Sequence, residues 1–75
     1  MDGTWRQFLP SLTPRERQVF DLIGQGKKNT EIAAELGISV HTARTYAKYI
    51  HDKLYIEGRA KLAIAAYQIQ IEGRS

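Results

Sequence analysis

Residues 29–50 read NTEIAAELGISVHTARTYAKYI. Two helix starts stand in this stretch, with one glycine between them. Asn29-Thr30-Glu31 opens the first, and Ile32, Ala33 and Leu36 put apolar side chains on one side over two turns. Gly37 ends it. Only Ile38 separates that glycine from Ser39, a residue type that caps helix N-termini. Val40, Ala43, Ala47, Ile50 and Leu54 then recur at steps of three and four. That is the buried stripe of a longer helix, from about Val40 to Leu54. Two amphipathic helices joined by a turn of about three residues containing glycine form the helix-turn-helix signature.

The second of these helices has an unusual composition. From Leu36 to His51 there is no Asp or Glu, although the chain holds eight acids. The same window carries Arg44, Lys48, two histidines, two tyrosines and the hydroxyls of Ser39, Thr42 and Thr45. At roughly 100° per residue, His41, Thr45, Lys48, Tyr49 and Asp52 point away from the apolar stripe, with Arg44 on one shoulder and Tyr46 on the other.

Working outward, Leu12-Thr13-Pro14-Arg15-Glu16 is a helix start. Thr13 is the N-cap, Pro14 takes the first helical position and Glu16 completes a capping box. Arg17 stands where a hydrophobic staple would need an apolar residue. Val19, Phe20 and Ile23 follow at helical spacing, and Gly24 and Gly26 close the helix. A fourth helix is predicted from about Arg59 to Gln70. Its apolar residues fall in two stripes: Ala60, Ala63, Ile64 and Tyr67, then Leu62, Ala66 and Ile69. One stripe can cover the core; a monomer has less use for the other.

The expected fold is all-α, a compact four-helix domain containing a helix-turn-helix. Residues 1–11 read as an ordered N-terminal arm or linker, residues 12–70 as the domain, and residues 71–75 as a C-terminal tail. Ile-Glu-Gly-Arg occurs at 56–59 and again at 71–74. The second copy reads equally as native chain or as the remnant of a protease-cleavage site.

Bulk properties narrow the function. A chain of 75 residues supports one domain. Without cysteine there is no disulfide framework and no thiolate metal site, which is compatible with the cytoplasm, the expected location. No apolar run approaches the roughly 18 residues of a membrane span, so no membrane partner is expected. Net charge is +3, a mild excess whose distribution says more than its sum. His41 and His51 are far apart in sequence, with no third ligand, so no metal is expected. Ser39 is needed as a cap and has no oriented histidine, so it is no catalytic nucleophile. Gly24 and Gly26 lack the Gly-Lys-Ser/Thr ending of a phosphate loop. Nothing points to an enzyme or a cofactor.

A helix without carboxylates suits a polyanion. In the major groove a helix runs between two lines of phosphates, where a carboxylate is repelled unless a cytosine amine donates to it. The N-terminal part of the second helix of a helix-turn-helix reaches the bases. In this chain that part is acid-free, and Asp52 comes where a straight helix leaves the groove.

The chain resembles the LuxR/FixJ-type DNA-binding domains of bacterial response regulators and quorum-sensing receptors. The resemblance runs over about residues 12–67. It is carried by Leu12-Thr13-Pro14-Arg15-Glu16-Arg17, Asn29, Glu31-Ile32-Ala33, Leu36, Ile38-Ser39, Thr42, Ile50, Lys53-Leu54 and Arg59. It implies a sequence-specific double-stranded DNA-binding regulator whose third helix reads the major groove. By position it implies base reading by Arg44, Thr45 and Lys48. It places Lys28, Asn29, Ser39, Thr42 and Tyr46 near phosphates. It also implies a homodimer through the fourth helix, which would give Leu62, Ala66 and Ile69 a use, and makes RNA polymerase a candidate partner. Three residues depart from the family pattern. Ala43 replaces a usual Val, Tyr46 a usual His and Tyr55 a frequent Gly. A tyrosine in the left-handed cap conformation costs about 1 kcal/mol, so the third helix is expected to end differently, running on toward Gly58.

Two other readings remain at this level. One is the promoter-reading helical domain of a sigma factor, which opens with a similar Leu-Thr-Pro-Arg-Glu. The other is a protein-docking helical bundle whose basic face is merely solvated.

Overall fold

The computed structural model describes residues 3–73. A 3₁₀ helix, Thr4–Ser11, precedes four α-helices: α1 (Pro14–Gly24), α2 (Asn29–Leu36), α3 (Val40–Leu54) and α4 (Arg59–Glu72). The caps read from sequence form. Thr13 Oγ1 accepts from the Glu16 N–H at 3.1 Å, and the Thr13 N–H donates to Glu16 Oε1 at 2.8 Å. Ser39 Oγ accepts from the Thr42 N–H at 3.0 Å. Gly37 takes the left-handed conformation that stops α2, with φ 68°. Lys28, the N-cap of α2, has no side-chain acceptor, so only the reverse half of a capping box forms there, from the Lys28 N–H to Glu31 Oε1 at 2.8 Å.

The core is apolar and drawn from every helix. Val19, Phe20, Ile23, Ile32, Ile50, Leu54 and Leu62 are fully buried. α1 packs on α3 and α4, while α2 packs on α3, so α3 lies on one side of α1 and leaves its outer face open. The α1–α4 crossing is tight at Gly24. A β-carbon there would lie 2.8 Å from both the carbonyl carbon and the β-carbon of Ala66.

Two expectations about helix ends are corrected. α3 does not run on to Gly58. It stops at Leu54, and Tyr55 itself takes the left-handed conformation, φ 57°. The strain is offset locally. The Tyr55 N–H bonds the His51 carbonyl, Ile56 is buried just beyond, and the Tyr55 ring packs against Phe8 with centroids 5.0 Å apart. α4 continues beyond Gln70 to Glu72, so Ile71 and Glu72 are helical and Gly73 caps the helix; Arg74 and Ser75, the last two residues of the expected tail, lie outside the described residues.

The N-terminal segment is built into the domain. Trp5 joins the core, and Arg6 lies 4.9 Å over its ring. Nη1 and Nη2 of the same guanidinium donate to the two carboxylate oxygens of Glu72, each at 2.7 Å. That bond holds the Glu72 carboxyl below its ordinary range. Lys53 Nζ reaches back to the Ser11 carbonyl at 3.2 Å, fastening the segment to the end of α3.

Candidate nucleic-acid interface

The candidate interface is built on α3. Ala43, Ala47, Ile50 and Leu54 face inward, and the two alanines let the helix lie close to its neighbours. The opposite side carries His41, Arg44, Lys48 and Tyr49, all exposed, with Thr45 half-buried among them. The ion pairs among the described residues join Arg6 to Glu72, Arg17 to Asp21 and Lys53 to Glu16. None involves Arg44, Lys48 or Lys28, so these three cations are free of acidic partners. Asp52, also exposed, is the first acid on this side, two turns beyond Thr45.

The hydroxyls have defined roles. Ser39 Oγ donates to Thr42 Oγ1 at 2.8 Å while it caps the helix, so the Thr42 proton is left to point elsewhere. Thr45 Oγ1 donates to the His41 carbonyl at 3.1 Å. Its proton is thereby used, and the side chain offers a methyl group and lone pairs outward. Tyr46 is half-buried and packs against the core. Its ring belongs to the fold, which leaves the hydroxyl for any outside contact.

Lys28 and Asn29 stand at the start of α2. Lys28 is exposed, whereas Asn29 is half-buried and its Oδ1 accepts from Arg59 Nη1 at 2.8 Å. That partner is thirty residues away and carries no local sequence signal. Among the described residues no group of His, Cys, Asp or Glu could hold a metal ion, and no helix is long and apolar enough to cross a membrane.

Two of the three dimer residues read from sequence lie inside the domain. Leu62 and Ala66 are fully buried in this chain's own core, and Ile69 packs partly against it. A second copy cannot reach Leu62 or Ala66 without unpacking α1 from α4. The other stripe is the exposed one: Ile64 and Tyr67 are each 53% exposed, with Ile71 one turn further on.

Comparison with known proteins fits this geometry. The profile of the family described as "Bacterial regulatory proteins, luxR family" matches residues 10–66, which include the whole helix-turn-helix. The chain belongs to the luxR family of bacterial regulatory proteins. This luxR-family domain is similar to the spore germination protein GerE of Bacillus subtilis, at 43% identity over 77% of the chain and 78% of the relative. It is 37% identical to the nitrate/nitrite response regulator protein NarL of Escherichia coli K12, over 92% of the chain but 32% of NarL. It is 40% identical to the transcriptional regulatory protein LiaR of B. subtilis, over 77% of the chain and 28% of LiaR. The chain thus spans about a third or less of the two longer relatives. No solved structure matches it. Membership in the family makes it a helix-turn-helix DNA-binding domain of a transcription regulator.

Proposed function

We propose that this domain binds double-stranded DNA sequence-specifically, with the N-terminal half of α3 in the major groove. One observation carries the reading: the solvent-facing side of α3 from His41 to Tyr49 has free cations and no carboxylate. Arg44 reads a base, with guanine the best fit to its two-pronged donor set. Lys48, one turn on, reaches a base edge or the adjacent phosphate. Thr45, its proton committed to the His41 carbonyl, presents its methyl group to the groove. Lys28, Asn29, Thr42 and the Tyr46 hydroxyl hold the backbone, while Ser39 acts through its cap and its bond to Thr42.

The domain binds as a two-fold pair through α4. Ala60, Ile64, Tyr67 and Ile71 recur at steps of four, three and four, the spacing of a helix that packs along a like helix. Such a pair would read two half-sites related by the same symmetry.

Selection of bound duplexes from a random pool tests both statements. A recovered motif with two related halves is the expected result. Recovery of unselected sequence, or no retention at low salt, would overturn the reading and favour a docking bundle with a solvated basic face.

A further inference from the structure

The Arg59 guanidinium spans from the first residue of α4 to the start of α2. Nη1 donates to Asn29 Oδ1 at 2.8 Å and Nη2 to the Lys27 carbonyl at 3.1 Å. The side chain is half-buried, and burial lowers its pKa. No carboxylate among the described residues pairs with it. A half-buried cation held only by neutral oxygens is an uneconomical way to close a turn, because its desolvation is not offset by an opposite charge.

The bond has a second effect. Arginine carries donors only, so the Asn29 amide must present its oxygen to Arg59 and turn its nitrogen away. Among the described residues that nitrogen has no hydrogen-bond partner, yet none of their side-chain nitrogens or oxygens is both buried and unpartnered. Asn29 Nδ2 is therefore reached by solvent. It lies at the first residue of α2, next to the exposed Lys28.

We propose that Arg59 is a positioning residue for DNA binding, fixing the Asn29 amide nitrogen-outward as a donor to a phosphate oxygen. The proposal rests on the DNA-binding reading and assigns one of its backbone contacts an orienting partner. A free asparagine samples about three χ1 rotamers and two amide orientations, so only about one arrangement in six aims its nitrogen at a phosphate. Arg59 removes that choice before DNA arrives, and its hold on the Lys27 carbonyl keeps the turn in place.

The test uses the full chain and a mixed-sequence duplex of about 20 base pairs, two helical turns. Binding is titrated for wild type, Arg59→Met, Asn29→Ala, the double variant and Asn29→Asp, with thermal denaturation in parallel. Arg59→Met should weaken binding to every duplex roughly fivefold, the effect of returning the Asn29 side chain to that mixture of arrangements, with base preference kept. In the Asn29→Ala background it should add less than about twofold. Asn29→Asp keeps an acceptor for Arg59 and should melt no lower than wild type, yet bind more weakly than Asn29→Ala. Additive losses in the double variant, or Arg59→Met binding within about twofold of wild type, overturn the positioning role while leaving DNA binding intact. If Arg59→Met does not fold, the wild-type Asn29 side-chain amide resonances decide: displacement by the duplex supports the proposal and unmoved resonances overturn it. A wild-type chain that binds no duplex overturns the proposal and the DNA-binding reading together.

Discussion

The Lys53 ammonium, one residue before the end of α3, lies 2.7 Å from the Glu16 carboxylate in the first turn of α1. Glu16 is 5% exposed at its side chain, and the same oxygen also accepts from the Thr13 N–H. A capping-box carboxylate thus doubles as the anchor that sets the far end of α3. Lys53→Met leaves that carboxylate buried without its cation. Urea denaturation should show a loss of about 1–2 kcal/mol, since a buried acceptor then lacks a charged donor. A loss within error would mean solvent replaces the ammonium at no cost.

The same pair predicts an acid dependence. Burial alone would raise the Glu16 pKa, but the Lys53 hydrogen bond, the Thr13 backbone bond and the Lys53 charge outweigh it, and the value is lowered. The unfolded chain therefore takes up this proton at a higher pH than the folded one. Glu16 contributes its full stability above the ordinary glutamate range, and the contribution fades as pH falls through that range to the folded value. The stability gap between wild type and Glu16→Gln should narrow steadily on acidification. A gap that widens would give the opposite sign of shift.

Base reading and backbone holding should separate by mutation. Arg44→Ala should relax preference at one position of the site by about 1–3 kcal/mol. Lys28→Ala should weaken all duplexes alike and reduce the salt slope by about one unit. Titrations over a panel of single-base variants at several salt concentrations distinguish the two. Uniform loss from both variants would remove the division of roles.

Gly24→Ala sets two effects against each other. Helix propensity favours alanine by about 1 kcal/mol. The new methyl would meet Ala66 at 2.8 Å, backbone carbon included, where nothing flexible can yield. Overpacking of this kind costs about 1–3 kcal/mol, so the variant should melt below wild type. A higher melting temperature would show that the α1–α4 crossing adjusts freely.

Tyr55→Gly relieves the left-handed strain of about 1 kcal/mol but loses the contact with Phe8, of similar size. In wild type the change should be nearly neutral. In a Phe8→Ala background, where the contact is already gone, the same substitution should stabilise. Equal effects in both backgrounds would mean the rings do not interact.

Tyr67→Glu on the exposed face of α4 should abolish any pairing seen by sedimentation equilibrium while leaving the fold intact by circular dichroism. Leu62→Glu should instead unfold the domain. If Tyr67→Glu pairs as well as wild type, the two-fold contact lies elsewhere.

Local chemistry made most of the architecture legible. Thr13, Glu16, Gly37 and Ser39 act through residues within five positions of themselves, and the α3 stripe shows one clear side. α4 was ambiguous because its apolar residues surround it almost evenly, so only its packing on α1 decides which stripe is buried. The Tyr55 cap depends on Phe8, and Trp5 enters the core from a segment without helical period. Arg59 was visible as part of the family resemblance, but its hold on Asn29 links residues thirty positions apart, and no local pattern encodes it.

The Arg6–Glu72 clamp makes the described chain almost a closed ring. Its first and last turns share one edge, fastened by two parallel bonds and backed by Trp5. A short peptide splice could therefore join the two ends without moving a helix, and fresh termini could be opened in the exposed turn at Glu57, outside the residues assigned to DNA. Such a circular permutant would reorder the helices along the chain while the surface offered to DNA kept its shape.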